Sequence, residues 1–127
     1  MTPETVIERW AQCFNNGDLE GIMRLYQSDS TLLPTFRPVL MKSKDQINGY
    51  FSAAIDEKAS IDVNVEESIK TELYGDTYLM TGPYVFCLPS KDGEKYESWY
   101  SFIIDTSKDA PIKHHHSSRV LFDFDLS

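Results

Sequence analysis

The chain has 127 residues, 41% of them hydrophobic and 13% aromatic, and carries a formal net charge of −8. That length suits one domain with one core, spanning 1–127, and the composition excludes a disordered chain. The negative charge, with no lysine- or arginine-rich run to offset it, argues against nucleic acid and against an anionic membrane surface, and no apolar run reaches the ~20 residues of a membrane span.

In chain order, Thr2 followed by Pro3 reads as a helix start, because threonine can cap and proline fits a first turn that needs no donor. Val6, Trp10 and Phe14 then repeat at helical spacing, with Ile7 and Ala11 beside them. The stretch "NNGD" (15–18) ends that helix, and Asp18 caps a shorter one carrying Leu19, Ile22, Met23 and Leu25. No leader segment is expected before this capped amphipathic start, so the sequence reads as soluble and cytoplasmic. "TLLPTFRPVLM" (31–41) is β-like, but Pro34 and Pro38 make it an edge or a bent segment. Ser43 and Gln46 form a capping box for a third helix with Ile47, Tyr50, Phe51, Ala54 and Ile55 on one face.

From residue 60 the period changes. "SIDVNVEESIKTEL" alternates Ile61, Val63 and Val65 with polar residues, as a half-buried strand does. "TYLMTGPYVFCL" is a second strand, with Gly82–Pro83 marking a bulge or bend. "YESWYSFIID" is a third, and "PIKHHHSSRVLFDF" the last. Segregated helices and antiparallel strands give an α+β fold. We expect a strongly bent antiparallel sheet wrapped around three N-terminal helices, a cone with an internal pocket. Cys13 and Cys87 read as two reduced thiols in apolar surroundings.

The last strand holds all three histidines of the chain, in "HHHSSRV" (114–120). Strict alternation puts Ile112, His114, His116, Ser118, Val120 and Phe122 on one face and His115, Ser117 and Arg119 on the other. The first face has the more apolar flanks, so His116 and Ser118 are expected on the pocket wall, with His115 and Ser117 outward or in a subunit contact. Read alone, such a run is most simply a polar strand with its imidazoles hydrogen-bonded. Two histidines at i, i+2 could chelate, but no third ligand is paired with them by a recognisable spacing. An inward imidazole beside a hydroxyl can exchange protons with water or a substrate.

Several stretches together resemble a known family. "HHSS" in the last strand, "LLPT" (32–35), "GYF" (49–51) in the third helix and "GPYVF" (82–86) occur in the order seen in the iota-class carbonic anhydrases. Those are similar to the association domain of calcium/calmodulin-dependent protein kinase II, within the nuclear transport factor 2-like superfamily of cone-shaped α+β domains. The resemblance covers nearly the whole chain. It implies a pocket lined by Thr35, Tyr50, His116 and Ser118 as catalytic groups, with hydroxyls holding bicarbonate and water. Some family members are held to act without metal and others with one. No cofactor is expected here, with zinc or manganese left open. Tyr84, Tyr100, His114 and Trp99 are further candidates for ligand contact. The chain departs from the family pattern at Trp99, where an arginine is usual, at Ala110 for a tryptophan, at His114 for an aspartate, and at Val120 and Leu121, where methionine-proline is absent.

Taken residue by residue, simpler roles are available. Thr35 can be a turn hydroxyl and Tyr50 a core tyrosine. Tyr84 and Tyr100 can be wall aromatics, Trp10 and Phe14 core, and Arg37 a solvated arginine near the mouth. Three functions follow: hydration of carbon dioxide; a non-catalytic module that binds a small carboxylate or aromatic molecule and assembles as a homodimer or higher homo-oligomer; and an isomerase or dehydratase, for which no inward carboxylate can be placed.

Overall fold

The computed structural model describes residues 1–121. Helix α1 spans Pro3–Asn15, and the Thr2 side chain caps it by accepting from the Thr5 amide at 3.2 Å. Its buried stripe is Val6, Ile7, Trp10, Ala11, Cys13 and Phe14. Helix α2 (Leu19–Leu25) starts at Asp18, which accepts from the Gly21 amide at 2.9 Å. Strand β1 (Tyr26–Leu33) follows directly, then an irregular stretch over 34–43, and then α3 (Lys44–Asp56), capped by Ser43.

The expected single strand from residue 60 is two. Strand β2 (Ser60–Val63) ends where the Asn64 side chain accepts from the Glu66 amide and starts a 3-10 turn over Val65–Glu67. Strand β3 (Ile69–Tyr74) resumes beyond it. A side chain that offers the backbone a local partner competes with the ladder, and here it wins. The long strands β4 (Thr77–Leu88) and β5 (Glu94–Asp105) pair without interruption, so Gly82 and Pro83 introduce no bulge. Strand β6 (Ile112–Arg119) completes the sheet; the expected inward place of Phe122 lies outside the described residues.

The order across the sheet is β1-β6-β5-β4, and β2 and β3 share the far edge of β4. All pairs are antiparallel except β1 with β6. The three helices lie against one face of this curved open sheet, giving the α+β architecture that the segregated sequence pattern implies. Trp10 is at the centre, with the rings of Phe14, Tyr84, Phe102 and His115 at centroid distances of 5.6, 5.9, 5.7 and 5.3 Å. Asn15, at the end of α1, works like a short strand edge: its side chain donates to the Ile61 carbonyl at 2.9 Å and accepts from the Ile61 amide at 2.7 Å. That clamp fixes α1 to β2 and closes one side of the core.

Both cysteines are free thiols, Cys13 buried and Cys87 half-buried. Among the described residues no helix is long and apolar enough to cross a membrane.

Candidate functional site

The orientation of β6 decides which histidine faces the core. Ile103 opposes His114 while Ile104 opposes Ile112, so Lys113 is an extra residue in the strand, a bulge. A bulge resets the alternation of side chains. Ile112 points inward, and so do His115 and Ser117, which are only 2% and 5% exposed. His116 and Ser118 are exposed on the outer face. The expected pocket pair is therefore corrected from His116 and Ser118 to His115 and Ser117. Strict alternation carried the parity of Ile112 across the one residue that breaks it.

Two further candidates also leave the pocket. Trp99 lies opposite Pro83 and Ser118 on the outer face and is 53% exposed. His114 is half-buried on the same face, its Nδ1 2.6 Å from the Thr31 hydroxyl. Burial and then the neighbouring His116 hold His114 below the ordinary histidine range.

On the inner face, His115 is fixed from every side. Its Nδ1 lies 2.9 Å from the Tyr26 hydroxyl and its Nε2 lies 3.0 Å from the Tyr84 hydroxyl. Its ring stacks on Phe102 at 3.9 Å and 16°. Burial, reinforced by His114 and His116, pushes its pKa well below the usual value, so it is neutral at neutral pH. With both nitrogens engaged, it has no lone pair left for a metal or a substrate. Burial raises the Tyr26 and Tyr84 hydroxyls far above the ordinary tyrosine range, and Ser117 partly opposes the second shift.

The network continues outward. Ser117 and Thr35 share a very short hydroxyl–hydroxyl contact across β6 and the segment after β1. Tyr50 reaches the same segment from α3. Burial raises its hydroxyl to about 12, against the pull of the Phe36 amide, the Arg37 guanidinium and the Thr35 amide. Thr35 thus contacts Ser117 rather than Ser118, and of the expected site residues Tyr50 lines the cavity described next, whereas Thr35 and Tyr84 do not. Tyr100 is buried beside Gly82, its hydroxyl has no partner, and it does not line the cavity.

A cavity of about 160 Å³ opens beside this network. Phe14, Phe36, Phe86, Leu88 and three alanines of α3 and its end (Ala53, Ala54, Ala59) form its apolar wall. Its polar lining is Tyr50, Arg37 and Glu57. The Arg37 guanidinium lies 5.8 Å from the Tyr50 ring centroid, and among the described residues no carboxylate pairs with it. Arg37 is exposed and lines the cavity, in keeping with a solvated arginine near the mouth, whereas sequence reasoning never singled out Tyr26. The signal for Tyr26 was weak, an aromatic at a helix-to-strand junction, and nothing local announces the bulge.

Zinc or manganese does not fit this donor set. The cavity lining offers one hydroxyl, one cation and one carboxylate, Glu57, and the nearby His115 has both nitrogens occupied, whereas a bound ion needs three or more ligands. Among the described residues no group of three histidine, cysteine or acidic side chains converges.

Residues 4–120 match the family model described as the calcium/calmodulin dependent protein kinase II association domain. No curated protein matches. Among solved structures, one assigned as an association domain of that kind from Xanthomonas campestris is 26% identical, with a TM-score of 0.81, over 93% of this chain and 85% of its own. A protein of the NTF2-like family from Streptomyces avermitilis, assigned as a dehydratase, is 13% identical with a TM-score of 0.79, over 92% of each chain. A cystatin-like domain of unknown function from Nostoc punctiforme is 16% identical, with a TM-score of 0.75, over 94% of this chain and 76% of its own. The last two identities speak to fold alone.

Proposed function

The chain belongs to the calcium/calmodulin dependent protein kinase II association domain family, and on that premise we propose that its cone binds a small carboxylate with an apolar or single-ring aromatic body. One observation carries this reading: an apolar cavity of about 160 Å³ whose polar lining includes the exposed Arg37 and the buried Tyr50. A cavity of about 150 Å³ accommodates a benzene-sized molecule. Arg37 supplies a cation for the carboxylate in a chain that is otherwise strongly acidic; Glu57, also in the lining, favours a ligand with one anionic end rather than two. Isothermal titration calorimetry with benzoate tests it. Binding weakened about tenfold in Arg37→Gln is expected, from the loss of one charge-assisted contact; no binding to the unaltered chain sinks the proposal.

The hydroxyl cluster favours a second reading, reversible hydration of carbon dioxide. Thr35, Tyr50 and Ser117 would donate to the oxygens of bicarbonate, and His115 would orient them through Tyr84. Donors fixed at a developing oxyanion lower a barrier. The difficulty is the nucleophile, because His115 is held on both nitrogens and the carboxylate in the cavity lining, Glu57, is an exposed side chain. Stopped-flow hydration on chelator-treated protein, repeated with zinc and with manganese, decides it. A rate equal to that of denatured protein removes catalysis and leaves binding standing.

Self-association through the outer face belongs to the same proposal. Leu79, Ile103, Val85 and Trp99 lie on the sheet face that carries no helix. A sedimentation shift toward monomer in Trp99→Ser is the expected result, and a monomeric parent chain at micromolar concentration refutes it.

A further inference from the structure

The bulge at Lys113 leaves two of the three histidines on the outer face, where the pocket network makes no use of them. His114 is half-buried there and His116 is exposed. Beyond the bulge the strand is regular: His114 opposes Ile103, and His116 opposes Ser101. Alternate residues of a strand share a face, with about 7 Å between their Cα atoms. Two imidazoles leaning together across that gap can hold one ion at the zinc–nitrogen length of about 2.0–2.1 Å.

One ring is already oriented. His114 Nδ1 lies 2.6 Å from the hydroxyl of Thr31, its partner on β1. When Nδ1 donates to Thr31 Oγ1, Nε2 carries no proton and its lone pair is free for a metal. Among the described residues, the histidine side-chain hydrogen bonds are those of His114 and His115, so His116 has both nitrogens available. The residues opposite the two rings are Thr31, Leu33, Ser101 and Ile103, none of them charged. The adjacent cation, Lys113, reaches the Tyr74 hydroxyl at 3.4 Å.

Two imidazoles are half of a four-coordinate set, and among the described residues this chain adds no third histidine, cysteine or acidic ligand. A second copy related by a two-fold axis brings the same two imidazoles again. Leu79 and Ile103 give that face apolar surface beside the pair. Each copy carries −8, and a divalent cation between them offsets the repulsion. Imidazole donors suit zinc, copper or nickel rather than manganese or magnesium.

We propose that His114 and His116 are one half of a zinc-type metal site, and that a second copy of this chain, docked outer face to outer face, supplies the other half. The shared ion builds on the self-association reading above; chelation by the pair does not. Thr31 is a positioning residue, acting through His114.

The test uses the full chain, untagged, reduced and chelator-treated, at neutral pH. Zinc is titrated in competition with a chromophoric chelator, sedimentation is run with and without zinc, and cobalt is followed by its visible absorption. The expected results are one ion per two chains, a dimer strengthened at least about tenfold by zinc, and the intense band of tetrahedral cobalt. His116→Gln alters an exposed side chain that the core does not need; it should weaken zinc binding at least about tenfold and abolish the effect on the dimer, and His114→Gln should do the same. Both variants keep Cys13 and Cys87, so undiminished binding would place the ion elsewhere and overturn the site. One ion per chain on a monomer, or the faint band of octahedral cobalt, overturns the sharing. Thr31→Val should weaken zinc about tenfold; an unchanged affinity removes its orienting role. Sedimentation without zinc tests the earlier self-association reading by itself. Whatever that result, a dimer dissociation constant that zinc leaves unchanged overturns the bridge.

Discussion

His115 makes the fold sensitive to mild acid, and the size of the effect follows from its burial. The unfolded imidazole takes up a proton below about pH 6.5, whereas the folded one, buried between Tyr26 and Tyr84, stays neutral well below that. The unfolded state therefore binds more protons as the pH falls, and stability is lost from about pH 6.5 downward. For one group that remains neutral in the folded chain throughout, the loss between pH 7 and pH 5 is about 1.9 kcal/mol, approaching about 1.4 kcal/mol per pH unit at the acid end. Urea unfolding at pH 7, 6 and 5 measures it. Carboxylates and the half-buried His114 add their own dependence, so the comparison is with His115→Gln, whose amide can face both tyrosines but does not titrate. The parent chain should lose about 1.9 kcal/mol more than the variant over that interval. Equal losses would refute the reasoning, because they would mean that the folded imidazole protonates as freely as the unfolded one.

Three other outcomes are expected. Gly82→Ala would place a Cβ 2.7 Å from the Tyr100 hydroxyl and 3.2 Å from the Ser68 backbone; it should destabilise by about 1–3 kcal/mol in urea, with partial recovery in Gly82→Ala/Tyr100→Phe. Ala54→Leu puts a larger side chain into the cavity wall from a helix that tolerates leucine; benzoate binding should fall at least about tenfold in calorimetry, with stability changed by less than about 1 kcal/mol. Asn15→Ala strips both partners from the Ile61 backbone; a loss of about 1–3 kcal/mol is expected, with faster hydrogen exchange at the Ile61 amide.

The helices were legible because their signals are local. Thr2, Asp18 and Ser43 cap where the sequence says they should, and the 3.6-residue stripe of α1 is its buried face. The two long strands were legible for the same reason. The errors lie where one residue changes the phase. Asn64 breaks a run that still looks alternating, because its side chain satisfies the backbone locally. Lys113 shifts the phase of β6 and exchanges the inner and outer histidines, and only pairing with β5, distant in sequence, reveals it. Tyr50 lines the cavity from the buried face of α3, a position that does not depend on strand parity. Trp99 failed because its outward side depends on register against Pro83 and Ser118.

The bulge at Lys113 has a consequence for the energy landscape. In the observed register the inner face of β6 presents His115 and Ser117; in a bulge-free register it would present His116 and Ser118, the same two residue types at the same spacing. The repeated letters of "HHHSS" cannot tell these states apart, so correct register falls to the flanks, with Ile112 against Ile104 and Tyr26. This predicts a shallow competitor to the native state, local to one strand, in which a neighbouring imidazole takes the place of His115 between the two tyrosines. Relaxation dispersion confined to the amides of residues 113–118, and abolished by Ser118→Val, which makes the alternative chemically unequal, would identify it; flat profiles there would mean that the flanks alone are sufficient.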